Sequence, residues 1–241
     1  MPQPSFPLEN ARPLPDWQPA RLPQRTVLQG ANVRLLPIDP QRDAEALYLA
    51  ACGPGADAHQ WDYLSSGPFQ GREDFTAWLT SCAASSDPHF FTIVDQQTGL
   101  AAGTIAYLAI TPEHGSIEIG HVWFSASLQR TRAATETIYL LARHAFEDLG
   151  YRRLEWKTNT LNLRSQQAAR RFGFTAEGVF RQHRVFRGQN RDTAWFSMLD
   201  GEWPAERAVF ESWLRPDNFD AAGHQLKSLT EIRADRLTAA A

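Results

Sequence analysis

Apolar residues recur at helical spacing in several segments of this chain. The longest such segment runs from residue 132 to 149, where Ile138, Leu141 and Ala145 fall on one face. This spacing predicts an amphipathic helix, and Gly150 follows at the position where a glycine commonly ends one. The same reasoning predicts further helices at residues 43–52, 71–85, 164–172 and 204–214.

Short apolar or alternating runs, bounded by turn residues, predict strands between these helices. The predicted strands are residues 27–38, 90–94, 101–110, 116–124, 153–157, 175–185 and 192–199. Together the elements follow the order βααβββαβαββ. Several consecutive strands are separated by short segments typical of hairpins, and one long helix connects two strands as a crossover. We therefore expect an α/β (mixed α+β) fold, with a mixed, mostly antiparallel sheet and helices on both faces.

Proline is concentrated at the start of the chain. Seven of the 15 prolines fall within the first 25 residues, and proline cannot continue a helix or a central strand. We expect residues 1–25 to form an extended arm on the domain surface, with disorder as the alternative. Residues 26–203 then form the main domain, and residues 204–241 a last helix with a polar tail. The side chains that could dock the arm are Phe6, Leu8, Leu14 and Trp17.

Charge and cysteine content narrow the functional class. The formal net charge of −3 argues against a general nucleic-acid binder, which needs excess lysine and arginine. Two cysteines, Cys52 and Cys82, are too few for a disulfide scaffold and lack zinc-site spacing. No apolar run reaches the ~20 residues that span a bilayer, and the first ten residues lack a secretory pattern. We expect a cytoplasmic protein without a metal or a membrane partner.

The segment from Gln129 to Phe174 combines groups that suit a phosphate-bearing ligand. A basic loop opens the long helix, and unpaired N–H groups at a helix N-terminus bind anions. After the next strand, Asn162 and Ser165 open a second helix, which closes on Gly173 and Phe174. This order predicts a place for phosphates, a place for a carbonyl and a candidate proton donor.

These residues resemble the GCN5-related N-acetyltransferase (GNAT) superfamily, and within it the RimJ/RimL type of ribosomal-protein N-terminal acetyltransferases. The most specific stretch is NLRSQQAARRFGFTAEGVFRQH, residues 162–183, which is similar to that group's N-x-x-S, G-F and E-G pattern. RDTAWFSMLDGEWP, residues 191–204, is similar to its closing strand. The resemblance covers residues 27–203, marking 26–203 as the acetyltransferase domain. It implies acetyl-coenzyme A (acetyl-CoA) as cofactor and a primary amine as acceptor.

The resemblance also implies a pyrophosphate loop, which departs from the family pattern at one position. Gln129 and Ala134 agree with it, but Arg132 stands where the family has its first glycine. Glycine lets the backbone approach a ligand closely. An arginine there needs a negative φ or accepts strain, and it could place its guanidinium on a phosphate; solvated arginines at an ordinary helix start are the alternative. The implied cofactor contacts are Val122, Trp123 and Phe124 through their backbone, then Gln129, Arg130, Thr131, Arg132, Ala133, Ala134, Thr135, Asn162 and Ser165.

Glu118 lies eleven residues before Gln129, the offset of the catalytic glutamate in many members, so the resemblance implies it as general base. An ammonium nucleophile must lose a proton before it attacks, and partial burial would raise the pKa of a carboxyl toward the useful range. One alternative is that Glu118 faces solvent on its strand. Another is that His121, predicted on the opposite strand face, is the base, since histidine needs less pKa tuning.

Ser165 is the candidate general acid, which would protonate the leaving thiolate of coenzyme A. Many family members use a tyrosine for this, but the matching residue here is Ala169; the RimL-like group has the serine of N-x-x-S instead. A thiolate with a pKa near ~8.5 is a tolerable leaving group, so the donor would add only modest rate. Alternatively, Asn162 caps the second helix and Ser165 is an ordinary residue of its first turn.

For the acceptor pocket, the resemblance implies the loop between the first two helices and the last hairpin. Carboxylates there could hold an ammonium group, and aromatic rings could add cation–π contact; packing of the loop aromatics on the sheet is the alternative. The implied residues are Asp57, His59, Trp61, Asp62, Tyr63, His121, Arg181, Gln182 and His183.

The missing tyrosine and Arg132 leave a second function open, a non-catalytic acyl-CoA-binding module. Nucleic-acid binding through the arginines between residues 164 and 191 is the weakest reading, given the negative net charge. The acceptor is a protein N-terminus or a small-molecule amine, and the protein is a monomer or a homodimer.

Overall fold

The computed structural model describes residues 13–240 of the chain, in which helices flank one sheet. Its eight strands are β1 (Leu28–Gln29), β2 (Val33–Pro37), β3 (His89–Asp95), β4 (Ala101–Thr111), β5 (Ser116–Phe124), β6 (Arg153–Asn159), β7 (Thr175–Phe186) and β8 (Gln189–Leu199). Its six α-helices are α1 (Pro40–Cys52), α2 (Arg72–Ala84), α3 (Arg132–Arg143), α4 (Leu163–Arg171), α5 (Trp203–Leu214) and α6 (Leu229–Ala240). A π-helical turn, His144–Asp148, extends α3.

The strands follow the order β1-β2-β3-β4-β5-β6-β8-β7 across the sheet. Neighbouring strands run antiparallel, except that β5 and β6 are parallel. Parallel neighbours need a crossover connection, and here α3 provides it. The prediction of a mixed, mostly antiparallel sheet is confirmed.

Helices cover both faces of the sheet, as predicted. α1 and α2 pack over β4 and β3, where Leu47, Phe75 and Trp123 are buried. α3 and α5 lie on the opposite face, where Ile138 and Phe210 are fully buried. Burying one such side chain contributes about 1.5–3 kcal/mol, so both faces hold their helices through the apolar stripes that the spacing identified.

The first predicted strand, residues 27–38, is in fact two strands joined by a turn. Glu136 of α3 causes this, because its buried carboxylate accepts hydrogen bonds from the backbone N–H groups of Ala31 (2.8 Å), Asn32 (2.6 Å) and Val33 (3.1 Å). A Cβ added at Gly30 would lie 2.6 Å from the Cδ of Glu136. The turn therefore depends on a residue about a hundred positions away, which local pattern does not reveal.

The C-terminal tail also differs from the expectation of a polar segment. Residues Leu229–Ala240 form α6, which packs on α5. Leu229 and Ile232 are buried in the main core, and Arg233 Nε lies 2.7 Å from Glu206 Oε1 of α5. Among the described side chains of this helix, only two apolar residues are buried in the core, too few for a periodic signal in the sequence.

The described part of the N-terminal arm runs without helix or strand along the domain. The indole of Trp17 donates to the carbonyl of Glu113 (3.1 Å), and the N–H of Arg21 donates to the carbonyl of Leu149 (2.8 Å). Leu14 is exposed, so Trp17 is the apolar side chain that docks. Phe6 and Leu8 lie outside the described residues.

Within residues 13–240, no helix combines the length and the apolar character needed to cross a membrane. The same part of the chain contains no cluster of three or more His, Cys, Asp or Glu side chains that could hold a metal ion.

Glu136→Gln should lower the free energy of unfolding by about 1.5–3 kcal/mol, because a neutral amide replaces the charged acceptor of three backbone N–H groups. Urea denaturation of both proteins measures this. The control is Glu113→Gln, which removes an exposed carboxylate and should change stability by less than about 0.5 kcal/mol. Equal stability of the two variants would show that the turn does not depend on Glu136.

Candidate active site

A gap between β5 and β6 forms the centre of the site. The two strands pair only from Ser116 to Glu118, opposite Arg153 to Glu155, whereas β5 continues to pair with β4 as far as Phe124. Past Glu118 the parallel strands separate. The backbone groups of the second half of β5 are thus left without a partner strand on that side.

A β-bulge in β5 accompanies this separation. Thr104 lies opposite Trp123 and Ala106 lies opposite Gly120, so two residues of β5, His121 and Val122, oppose one residue of β4. His121 adopts a φ of +48°, and such bulges bend a strand and increase its twist. The bulge turns β5 away from β6 and opens the gap.

The gap belongs to a long cleft with a volume of about 2890 Å³. Pockets for drug-sized ligands occupy roughly 300–1,000 Å³, so this cleft has room for a large cofactor together with an acceptor. One end is lined by the loop between α1 and α2 and by the β7–β8 hairpin. The other end lies at the N-terminus of α3 and is lined by residues that follow α5.

The N-terminus of α3 carries the predicted pyrophosphate loop. Thr131 caps the helix, because its hydroxyl accepts a hydrogen bond from the N–H of Ala134 (3.2 Å). The positive φ of this loop, +62°, falls on Arg130. Arg132 is the first helical residue, so an arginine fits there without the conformation that favours glycine. The first N–H groups of a helix lack partners within the helix, and here they face the cleft.

The side chain of Arg132 lies on an aromatic ring. Its Cζ sits 3.5 Å from the ring centroid of Phe219, which belongs to the segment between α5 and α6. Asn218 anchors this segment, since its amide donates to the carbonyls of Trp213 (3.1 Å) and Lys227 (3.0 Å). Residues 219 and 221–225 line the end of the cleft at the N-terminus of α3. Sequence reasoning assigned them to a polar tail and missed this wall.

Other predicted loop residues hold the loop in shape. The Gln129 side chain donates to the carbonyl of Phe124 (3.0 Å). The buried hydroxyl of Thr135 accepts hydrogen bonds from both terminal nitrogens of Arg171 (3.2 Å each). Both residues border the cleft, but their side chains are engaged within the protein.

Glu118 lies where the parallel pairing ends, and it is buried, with 7% of its surface exposed. The solvent-facing alternative is therefore wrong. Its Oε2 lies 2.9 Å from Nζ of Lys157, which also contacts Glu155 (2.6 Å). Burial raises the pKa of Glu118, and the positive charge of Lys157 opposes that rise. The carboxyl is thus more basic than an ordinary glutamate and lines the cleft.

His121 lies on the same face of the sheet as Glu118, contrary to the prediction from strand alternation. Phe90 pairs with Ala106, and Ala106 pairs with Gly120, so these three residues lie on one face of the sheet. Glu118 lies on the same face, because it precedes Gly120 by two residues on the same strand. The His121 ring packs 5.1 Å from the ring of Phe90, since the bulge reverses the alternation. Burial lowers the pKa of His121, which favours its neutral form.

Asn162 and Ser165 open α4 as an N-terminal cap. The Asn162 side-chain oxygen accepts a hydrogen bond from the N–H of Ser165 (3.1 Å). Asn162 therefore caps α4, which is the alternative that the sequence left open. The Ser165 hydroxyl oxygen accepts the indole N–H of Trp156 (2.9 Å). Because that contact uses a lone pair of the oxygen, the hydrogen of the Ser165 hydroxyl remains available for donation. Both residues line the cleft.

The loop between α1 and α2 closes over the acceptor end of the cleft. The Tyr63 hydroxyl donates to the carbonyl of Leu161 (3.2 Å). From the tip of the β7–β8 hairpin, Arg187 donates to the carbonyls of Gly67 (2.7 Å) and Leu64 (3.2 Å). The loop is thus tied to both walls, which makes this end a channel. The predicted acceptor residues that line it are Asp57, His59, Asp62, Tyr63, His121 and His183.

Three other predicted acceptor residues lie elsewhere. Trp61 is buried, with 2% of its surface exposed, and stacks on Trp123 at 5.2 Å. Its ring belongs to the core under α1 and α2, so it offers no cation–π contact to the cleft. Arg181 and Gln182 lie in a separate shallow depression with Asp192. The family resemblance placed both residues at the site; here Gln182 has a positive φ, and its N–H donates to Asp192 (2.7 Å), within that depression.

The structure adds basic residues that sequence reasoning did not assign to the acceptor end. Lys157, Arg184 and Arg191 all line the cleft. Lys157 follows Glu155 by two residues and so shares its face of β6, and Glu155 lies opposite Glu118. The alternation of side chains along β6 could have predicted the position of Lys157. The positions of the two arginines depend on the pairing of β8 with β6 and with β7.

Comparison with known proteins agrees with this geometry. A family model described as an acetyltransferase (GNAT) domain matches residues 32–175. The crystal structure of a GCN5-related N-acetyltransferase from Brucella melitensis is 42% identical; the match covers 92% of this chain and 100% of that chain, with a TM-score of 0.89. The uncharacterized N-acetyltransferase p20 of Bacillus licheniformis is 26% identical over 169 residues, which is 67% of this chain and 89% of p20.

A ribosomal L7/L12 alpha-N-protein acetyltransferase, RimL, is 20% identical, with a TM-score of 0.62 over 72% of this chain and 94% of that chain. At this identity the likeness is one of fold. The family match, the fold and the gap between β5 and β6 agree with one another, and the chain belongs to the GNAT family of N-acetyltransferases.

Proposed function

We propose that this N-acetyltransferase moves the acetyl group of acetyl-CoA to a primary amine, by direct attack within a ternary complex. The observation that carries the proposal is the gap that opens past Glu118. The N-terminus of α3 and the Ser165 hydroxyl border it on one side, and the buried carboxylate of Glu118 borders the acceptor channel. The groups needed for phosphate binding, proton removal and proton return thus line one continuous cleft.

The cofactor end fits a pyrophosphate through backbone groups. Thr131 uses the N–H of Ala134, which leaves the N–H groups of Arg132 and Ala133 for phosphate oxygens at the positive end of the helix dipole. The backbone of β5 at Val122 and Trp123, which has no partner strand on the β6 side, suits the amide groups of an extended arm, whereas the carbonyl of Phe124 already accepts from Gln129 (3.0 Å). When bound, acetyl-CoA supplies an acetyl thioester. We expect a cytoplasmic location, as inferred from the sequence.

Glu118 is proposed to take the proton of the acceptor ammonium, directly or through a water molecule. Lys157 holds its carboxylate in place at 2.9 Å, and burial keeps its pKa above the ordinary 4.5. Such a group accepts a proton near neutral pH more readily than an exposed glutamate does. Once Glu118 is protonated and neutral, Lys157 still has the charge of Glu155 as its partner (2.6 Å).

Glu118→Gln should lower kcat with an amine acceptor by at least about a hundredfold, because general bases contribute roughly 10²–10⁴-fold. In the wild type, activity should fall as pH drops through the raised pKa of Glu118, since the protonated carboxyl accepts no proton. The variant should lose this acidic limb. Release of free thiol from acetyl-CoA with a panel of primary amines measures both effects.

Glu155→Gln is the matched control for this experiment, because Glu155 contacts the same lysine (2.6 Å) but does not line the cleft. It should keep most of the activity. If His121→Gln loses the acidic limb and Glu118→Gln keeps it, the base is His121. Tight coenzyme A binding with no turnover of any amine would instead favour the acyl-CoA-binding module.

Ser165→Ala should lower kcat by about tenfold or less at neutral pH, because a thiolate of pKa near ~8.5 leaves without much help. The loss should shrink toward pH 9, where the thiolate needs no proton. Steady-state kinetics across pH measures this. Ser165→Thr, which keeps a hydroxyl, is the control. Equal pH profiles for Ser165→Ala and the wild type would leave Ser165 without a role as acid.

Arg132→Ala should change the dissociation constant of coenzyme A by less than about threefold, because backbone N–H groups bind the phosphates and the guanidinium lies on Phe219. The loss of that cation–π contact should lower the free energy of unfolding by about 0.5–1 kcal/mol. Calorimetric titration and urea denaturation measure the two quantities. Phe219→Leu is the control for the stacking alone. Binding weakened tenfold or more would place the Arg132 guanidinium on a phosphate.

A further inference from the structure

Two arginines face each other at the acceptor end of the cleft. Arg184 of β7 and Arg191 of β8 are direct cross-strand partners, and both line the cleft. Like charges directly opposite on neighbouring strands destabilise a sheet. An arrangement of this kind calls for a negative charge nearby.

The protein's own carboxylates on this face are already engaged. Glu177 pairs with Arg153 through two contacts (2.7 and 2.6 Å), and Glu155 is shared between Arg153 (2.7 Å) and Lys157 (2.6 Å). Glu118 pairs with Lys157. Each of these three carboxylates is thus paired with Arg153 or Lys157, and none of them is paired with Arg184 or Arg191.

Neither arginine has a carboxylate partner within the part of the chain that the structure describes. Arg184 and Arg191 take part in none of the ion pairs found among residues 13–240. The Nε atom of the half-buried Arg191 is enclosed and has no hydrogen-bond partner there. Its guanidinium lies 5.8 Å from the ring centroid of Phe186, a contact that leaves the N–H donors unsatisfied. A buried donor without an acceptor is costly.

The pair lines the same cleft as the proposed base. The charge of Arg184 acts on the Glu118 carboxyl, and the charge of Glu118 acts on Arg191. Arg187, between the two arginines in sequence, ties the hairpin to the loop that closes the channel. An acceptor whose amine reaches Glu118 therefore lies in the cleft that the arginine pair also lines.

We propose that the acceptor is a primary amine that also carries a carboxylate, and that Arg184 and Arg191 bind this carboxylate while the amine meets Glu118. This rests on the acetyl transfer proposed above and names its substrate class. The planar guanidinium fork matches a carboxylate and forms short, charge-assisted hydrogen bonds. The same pair repels acceptors that carry only positive charge, such as polyamines. The carboxylate belongs either to a free amino acid or to an acidic side chain near a peptide N-terminus.

Matched acceptor pairs test the proposal. Free amino acids are compared with their carboxamides, and C-terminally amidated Ser-Asp peptides with the Ser-Asn peptides. The wild type should prefer the carboxylate member of one pair by at least about tenfold in kcat/KM, as charge-assisted bonds of this kind imply. Preference within the first pair identifies a free amino acid, and preference within the second identifies a peptide. Ratios near one in both pairs would overturn the proposal.

Substitutions in the hairpin test which residues cause the preference for the carboxylate-bearing acceptor. Arg191→Gln and Arg184→Gln should each bring the ratio toward one, while the affinity for coenzyme A stays within about threefold. Arg181→Gln, on the same hairpin but outside the cleft, removes an equal charge and should leave the ratio unchanged. A loss of coenzyme A affinity in the Arg191 or Arg184 variants, with the ratio intact, would assign the pair to the cofactor and overturn the proposal.

A binding measurement separates this proposal from the proposed function. The carboxylate-bearing amine is titrated by calorimetry into the complex of the protein with coenzyme A. If no amine is acetylated but the carboxylate member binds at least tenfold tighter than its amide, and Arg191→Gln abolishes the difference, acetyl transfer fails and the carboxylate site stands. Equal binding of the two members would refute the carboxylate site, whatever the activity.

Discussion

The β-bulge at His121 and Val122 is the constraint on which the site depends. Because two residues of β5 oppose one of β4, β5 bends away from β6 and their pairing stops at Glu118. The gap, and the lack of a partner strand for the second half of β5 on that side, both follow from this. The bulge also reverses the alternation of side chains, so His121 joins Glu118 on the face that carries the chemistry.

On β6, the face of the sheet that carries Glu118 and His121 is rich in charged residues, whereas the opposite face is apolar. Leu154 and Trp156 point into the core beneath α3 and α5, whereas Arg153, Glu155 and Lys157 form ion pairs on the cleft side. Partly buried ion pairs contribute little net stability, because desolvation offsets their attraction. Their role here is to set positions: Lys157 fixes the carboxylate of Glu118, and Arg184 and Arg191 on the hairpin take part in none of these pairs.

Much of the architecture could be predicted from the sequence, because local periodicity reports directly on burial. The bounds of β5 agree with the prediction residue for residue, and those of the other predicted helices and strands are close, apart from the first strand. That strand was misread because the carboxylate of Glu136 imposes a turn at residues 30–32 from a distant helix. Helix α6 was missed because two buried side chains, Leu229 and Ile232, are too few to make a pattern.

The sequence by itself determined the fold class, the family, the helix N-terminus at Thr131 and the position of Glu118 on its strand. These depend on residue order within short segments. Only the tertiary structure placed Trp61 in the core, removed Arg181 from the cleft, brought Lys157 beside Glu118 and paired Arg184 with Arg191 in the lining of the same cleft. Which side chains meet depends on strand register and on a bulge, and a shift of one residue moves a side chain to the other face of the sheet.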